Sequence, residues 1–325
     1  MNLFIFEHTT GGGTLNQSPP HSLIAEGQLM LDAVISDFGI FEHISIKTIQ
    51  ESKYKRTIAD VDTVWVNTQS EFKESWDNLL FDCDGALIIA PESDNTLLDL
   101  CLEVSTRRID SFNCLPEAIA LAGDKYQTFK ALQNAKIPIV PTYRDIEELP
   151  CDTKKIVLKP RDGVGCENTY IFENTNHIDL AIINDDNFIA QPFIHGDTVS
   201  VSAIASVSEI KVLTCNRQIM NNKDNLLKFS GCEVAIQTDS FNTLEKITKK
   251  IAAAIPGLRG YIGIDFILSE NGPYVVDINP RLTTSYAGLH EALGETPATF
   301  ILSAFNNNKF NTPSIKKSVK INLPL

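Results

Sequence analysis

No apolar run in this sequence approaches the ~20 residues that cross a bilayer, so a membrane-embedded helix is not expected. There is no basic stripe either. Asp and Glu outnumber Lys and Arg by 41 to 28, a formal net charge of −13. Nucleic-acid binding relies on clustered cations that neutralise phosphates, so that class of partner is set aside. The seven cysteines (83, 101, 114, 151, 166, 215 and 232) are odd in number and scattered. They form no Cys-x-x-Cys pair and no zinc-like cluster, which reads as free thiols in a reducing cytoplasm. The opening Met1-Asn2-Leu3-Phe4-Ile5-Phe6-Glu7 lacks a basic region and a small-residue cleavage pattern. It reads as a buried first strand rather than a signal peptide. Internal repeats and low-complexity linkers are absent as well.

What is present suits a soluble enzyme. The 325 residues, 43% hydrophobic and 21% charged, suffice for two or three packed units. The first third alternates short apolar runs (Leu3–Phe6, Glu42–Ile46, Thr63–Val66, Gly85–Ala90) with amphipathic stretches (Ser22–Phe38, Ser70–Leu80, Asn95–Val104). This βαβα rhythm predicts a parallel sheet with helices on its faces. Thr10-Gly11-Gly12-Gly13-Thr14 follows the first strand, at the edge where open α/β sheets bind ligands. A ligand loop and a plain flexible turn fit it equally. It is not a Gly-x-Gly-x-x-Gly fingerprint, and no acidic residue ends the second strand to hold a ribose, which argues against a nicotinamide dinucleotide.

From Asp124 the pattern changes. Asp124 is a plausible N-cap for an amphipathic helix over Lys125–Ala135. Strands are expected at Ile156–Lys159, Thr169–Phe172, Phe188–Gln191, Val199–Ser206, Lys211–Gln218, Ile262–Leu268 and Tyr274–Asn279. Helices are expected at Leu244–Ile255, Ala287–Leu293 and Ala298–Phe305, with a polar, loosely held tail after Asn306.

The chemistry concentrates in three places. Strand side chains alternate faces, so burying Ile264 and Phe266 with Val276 and Ile278 sends Asp265, Asp277 and Asn279 to one surface. A two-residue Asn271-Gly272 turn would pair Asp265 with Ile278, on the wrong face. A three-residue loop is therefore expected, pairing Asp265 with Asp277. Two carboxylates and an amide oxygen suit Mg²⁺, and Arg281 just beyond suits a transferring phosphoryl group. Second, Val157-Leu158-Lys159 ends a strand and leads into a loop with Gly163 and Gly165. Glycine lets backbone amides approach phosphates, and Lys159 adds a point charge. Third, Ile189-Ala190-Gln191-Pro192-Phe193-Ile194 runs from an apolar strand into a turn, then Gly196-Asp197-Thr198. Such a hinge can offer backbone groups to an adenine edge, or simply connect two units. His8, His21, His195 and His290 are isolated in sequence and read as structural.

Taken in order, Asp124-Lys125, Lys159-Pro-x-x-Gly, Gln191-Pro-Phe-Ile-x-Gly, Asp265 and Asp277-x-Asn-Pro-Arg resemble the ATP-grasp superfamily over about residues 122 to 305. The resemblance implies an α/β N-terminal domain plus an α+β ATP-grasp fold, two subdomains gripping the nucleotide. It divides the chain into an N-terminal domain (1–121), a small subdomain (122–186), a C-terminal subdomain (187–310) and a tail (311–325). It implies a cytoplasmic ligase that uses ATP and two Mg²⁺ ions, with Mn²⁺ as a substitute, and joins a small carboxylate to an amine through an acyl phosphate. By position, Lys125 and Lys159 would contact phosphates, with Gly163 and Gly165 beside them. Gln191, Phe193 and Ile194 would hold adenine. Asp265, Asp277 and Asn279 would bind metal, and Arg281 and Lys159 would act in phosphoryl transfer. A glutamate that the family often places after the hinge glycine is missing, which leaves Asp197 or Thr198 for the ribose. Homodimers are common in the family, though no surface stripe here specifies one. Phe6-Glu7-His8-Thr9-Thr10-Gly11-Gly12-Gly13 and Cys215-Asn216-Arg217-Gln218 also resemble the tyramine–glutamate ligase branch, which serves methanofuran assembly. That narrower likeness places Glu7, Gly12, Asn216 and Arg217 at the substrate end, with L-glutamate and tyramine as substrates. Arg217 would grip a carboxylate, or pair on the surface with Glu233 or Asp239. Glu7 would meet an amine or serve as a local cap. The rival reading is an ATP-binding regulatory protein that has lost turnover.

Overall fold

The computed structural model describes residues 1–56, 61–173 and 187–324. The first sheet has five strands, β1 (Asn2–Glu7), β2 (Ser45–Glu51), β3 (Asp62–Val66), β4 (Gly85–Ile89) and β5 (Asp110–Ser111), in spatial order β3-β2-β1-β4-β5. All its pairings are parallel. Parallel strands are buried on both faces, and β1 shows why its run is apolar throughout. Leu3 and Ile5 pack on α1 (His21–Gly39), while Phe4 and Phe6 pack on α2 (Gln69–Asp82) and α3 (Thr96–Thr106). The second strand lies at 45–51, not at 42–46, and so ends in an acidic residue, Glu51, contrary to the expectation that none stands there. Its Thr48 and Gln50 are fully buried polar residues, which hid the strand from a reading based on hydrophobicity.

Two helices then lead into the second unit, α4 (Pro116–Gly123) and α5 (Lys125–Asn134). α4, which periodicity did not reveal, opens with Pro116 in its first turn, where a missing N–H costs nothing. Asp124 caps α5 by accepting the N–H groups of Tyr126 and Gln127.

The second sheet has nine strands, all paired antiparallel. They are β6 (Ile156–Pro160), β7 (Thr169–Phe172), β8 (Phe188–Pro192), β9 (Asp197–Ala205), β10 (Ile210–Lys223), β11 (Leu226–Val234), β12 (Gly260–Ser269), β13 (Gly272–Asn279) and β14 (Val319–Asn322). The spatial order is β13-β12-β9-β10-β11-β7-β6-β8, with β14 paired to β11. The expected subdomain boundary at 186/187 abuts residues 174–186, which lie outside the described ones. Just past it, β8 pairs with β6. The 14-residue β10 links both halves of the sheet. On one face Val199, Val201, Ile264 and Phe266 pack against Leu244, Ile247 and Ile251 of α6 (Phe241–Ala254). Both main apolar clusters take residues from both sheets, so the units form one body. The short helices α7 (Leu289–Leu293) and α8 (Pro297–Phe305) follow. The tail is not loose throughout: β14 pairs with β11 and buries Ile321.

The β12–β13 hairpin reaches the expected site register by another route. Ser269 pairs with Gly272, so only Glu270 and Asn271 form the turn, and Gly272 follows at φ 104°. Asp265 nevertheless pairs with Asp277, because a β-bulge inserts Val276 into β13. Val275 takes the core position, 0% exposed. Val276 turns to the other face beside Asp277. The expected three-residue loop is thus corrected: the extra residue sits in the strand.

Candidate active site

Between the second sheet, α5 and the β6–β7 loop lies a cavity of about 470 Å³, a size typical of small-molecule sites. Side-chain alternation decides what faces it. Thr198 and Ser200 of β9 point in, whereas Val199 and Val201 enter the core. Asp265, Asp277 and Asn279 line one wall together. Asp265 accepts Gln218 Nε2 at 3.0 Å and Asn279 Nδ2 at 3.3 Å. Asp277 accepts the Ile278 N–H at 3.0 Å and pairs with Lys125 Nζ at 3.0 Å. Burial first, and then the Asp277 charge, push Asp265 up to about 7. Two acids crowded into a buried patch are relieved by a divalent cation, and these hard oxygen donors fit Mg²⁺ or Mn²⁺.

Lys125 also donates to the Gly163 carbonyl at 2.6 Å, tying α5 to the glycine loop. Burial opposes its charge, yet Asp277 above all holds its pKa higher than an ordinary lysine's. Lys159 differs. It is 6% exposed and lines the cavity. It has no hydrogen bond or ion pair among the described residues, and burial draws its pKa down. A buried ammonium in no direct ion pair is a seat for an anion. Arg281 is held from the first unit: Nε donates to both oxygens of Glu92, at 3.1 and 3.1 Å. Burial works against its charge, and Glu92 outweighs that, keeping the guanidinium cationic.

The loop after β6 brings Gly163 and Gly165 to the cavity, the latter at φ 59°. At the hinge, Gln191, Phe193 and Ile194 line it too. Gln191 donates Nε2 to Thr142 Oγ1 at 2.8 Å, and Phe193 gives its N–H to the Lys155 carbonyl at 2.8 Å. Ile194, next along, keeps its backbone groups unengaged among the described residues. Of the two ribose candidates, Thr198 faces the cavity and Asp197 is exposed on the other side.

Four expected substrate contacts are not brought to the cavity. Glu7 is buried and accepts the N–H of Thr9 and of Thr10, both at 2.8 Å, and the Thr10 hydroxyl at 2.6 Å. It closes the glycine turn, and burial pushes its pKa up. Gly12, at φ 103°, packs against Phe72 and Val66. Asn216 spends its amide on Ser200, Ser202, Thr214 and the Ala235 N–H. Arg217, one residue on, faces the opposite way and pairs with Glu233 at 2.8 Å. Sequence reasoning missed Glu92, Gln218 and Glu26. Glu92 follows Pro91 at the carboxyl end of β4, a position whose topology signals ligand chemistry.

A family model described as the ATP-grasp domain matches residues 122–285, and a pre-ATP-grasp 3 domain model matches residues 44–119. The chain is 28% identical over 295 residues to tyramine–L-glutamate ligase of Methanocaldococcus jannaschii, covering 88% of this chain and 84% of that one. A crystal structure from Archaeoglobus fulgidus, assigned to the ATP-grasp superfamily, superposes over 100% of both chains with a TM-score of 0.74 and 24% identity. L-amino acid ligase of Bacillus licheniformis superposes over 94% of this chain and 74% of that one, with a TM-score of 0.66 and 14% identity.

Proposed function

The chain belongs to the ATP-grasp family and is an enzyme that forms carbon–nitrogen bonds; from that premise we propose that it joins L-glutamate to tyramine through an acyl phosphate. The observation that carries the reading is the meeting of Asp265, Asp277 and Asn279 with the unpaired Lys159 in one cavity.

In this reaction a carboxylate oxygen of the acid attacks the γ-phosphorus of ATP and ADP leaves. The amine nitrogen then attacks the acyl carbon, loses a proton, and phosphate leaves. Lys159, in no direct ion pair among the described residues, would take a phosphate oxygen. Lys125 would hold the glycine loop over the phosphates through the Gly163 carbonyl. Arg281, kept charged by Glu92, would face the transferring group. Asp265, Asp277 and Asn279 would hold two Mg²⁺ ions, whose charge offsets that of the phosphate oxygens. Ile194 would meet adenine and Thr198 the ribose. No protein nucleophile is required. The half-buried thiol of Cys166, at the cavity wall, is pushed up to about 12, by desolvation first, which keeps it unreactive.

Purified protein with ATP, Mg²⁺, L-glutamate and tyramine should release ADP and phosphate in equal amounts. Glutamate labelled with ¹⁸O in its carboxylates should pass one label to the phosphate. Release with other acid and amine pairs but not this one would discard these substrates, and product without label transfer would discard the acyl phosphate.

A further inference from the structure

Among the described residues before Lys125, one alone lines the cavity: Glu26, on the second turn of α1. The helix sits tightly on β1, since a Cβ at Gly27 would lie 2.6 Å from the Glu7 carboxyl carbon. Glu26 accepts a hydrogen bond from the hydroxyl of Thr284, three residues past Arg281. Around it stand Arg281, Glu167 and Cys232, each close enough to feel the charge of the Glu26 carboxylate. The first unit thus places a single carboxylate in the cavity, within electrostatic reach of Arg281.

We propose that Glu26 determines specificity for the acid substrate by gripping an ammonium that takes no part in the reaction, so that the acid is an α-amino acid and not a simple carboxylic acid. This rests on the ligase reading above. The chemistry separates the two amines of such a reaction. The attacking amine needs its lone pair. A carboxylate partner would favour its protonated form and raise its pKa, slowing attack. A carboxylate here therefore suits the ammonium that is retained.

The charge pattern of the cavity fits a zwitterion. Lys159 and Arg281 offer positive charge to phosphate and carboxylate. Asp265 and Asp277 belong to the proposed cation site and to Lys125, leaving Glu26 and Glu167 as the negative end of the lining. Burial first, and then Glu26, raise the Glu167 pKa. The two acids repel each other, and an ammonium between them removes that repulsion. The Thr284 hydroxyl fixes the Glu26 carboxylate in place while leaving its second oxygen for the ligand.

The test compares each amino acid with its des-amino counterpart, L-glutamate with glutarate first, by ADP release in the wild type, Glu26→Gln and Glu26→Asp. The wild type should prefer the amino acid by at least about tenfold in kcat/KM, as loss of one charged hydrogen bond implies. Glu26→Gln should erase that preference while leaving the KM for ATP unchanged, and Glu26→Asp should restore part of it. An unchanged preference in Glu26→Gln, or equal use of both acids by the wild type, overturns the proposal and leaves the ligase standing. No ADP release with any acid would instead defeat the ligase reading and this proposal with it. Melting temperatures of the variants within a few degrees of the wild type show that the fold is retained.

Discussion

Lys159 carries its charge inside the protein with no direct ion pair among the described residues, and burial outweighs the attraction of Asp277 and Asp265, so the group is held at a cost in stability. Lys159→Met, of similar length, should therefore raise the melting temperature of the ligand-free protein. It should also raise the KM for ATP by about tenfold or more, since phosphate loses its buried cation. A variant that is both less stable and equally active would refute the role. Asp277→Ala should abolish ADP release, because the proposed cation site loses a donor and Lys125 loses its partner at 3.0 Å. His8 gives a pH signature away from the cavity. Burial lowers its pKa from 6.5 to about 4. The unfolded chain therefore takes up the proton first as pH falls. The stability involved is fully present above 6.5 and is lost between 6.5 and about 4, by up to about 3 kcal/mol. His8→Gln should flatten melting temperature against pH in that window, and parallel curves for variant and wild type would contradict it.

At the level of elements, α5 and the β12–β13 hairpin do the positioning. Lys125 is the first residue of α5, so its place depends on how that helix starts. Asp124 caps the helix and also takes Arg161 in a two-point pair whose Nε contact is 2.9 Å. Asp124→Ala should remove about 1–2 kcal/mol of stability in urea unfolding. It should also raise the KM for ATP, through Lys125 and the glycine loop that Lys125 holds. An unaltered KM would mean that the loop is held by other contacts, such as Ser93 and Asp94 on Asp162. In the hairpin, the bulge at Val276 lets Val275 and Ile278 stay in the core while Asp277 faces Asp265. Bulges of this kind commonly re-aim side chains beside functional sites.

Across the whole molecule, the first unit completes the cavity that the second one builds. Glu92, just past β4, holds Arg281 across 189 residues of chain. Glu26 meets Thr284 across 258. Removing one partner of a buried pair leaves an uncompensated charge. Glu92→Gln is accordingly expected to lose about 3 kcal/mol in stability and to lower kcat more than the KM for ATP. A stability loss with kcat intact would make Glu92 a structural residue only.

Local pattern was enough for the parallel first sheet, because apolar runs broken by amphipathic stretches admit few other folds. It was enough, too, for the convergence of Asp265, Asp277 and Asn279, since burying Ile264 and Phe266 leaves those residues one face. Pattern failed where polar residues are buried for tertiary reasons, as with Thr48 and Gln50 in β2. It also failed where register is set by a bulge rather than a turn. The polar tail hid β14, whose pairing depends on a β11 edge that lies far away in sequence. Arg217 and Asn216 are adjacent, yet only the path of β10 decided that one faces solvent and the other the interior. Glu26 carries no local signal, and Glu92 only its place past the carboxyl end of β4. Their roles arise from packing one unit on the other, and contacts spanning hundreds of residues are set by the folded core, not by the composition around each residue.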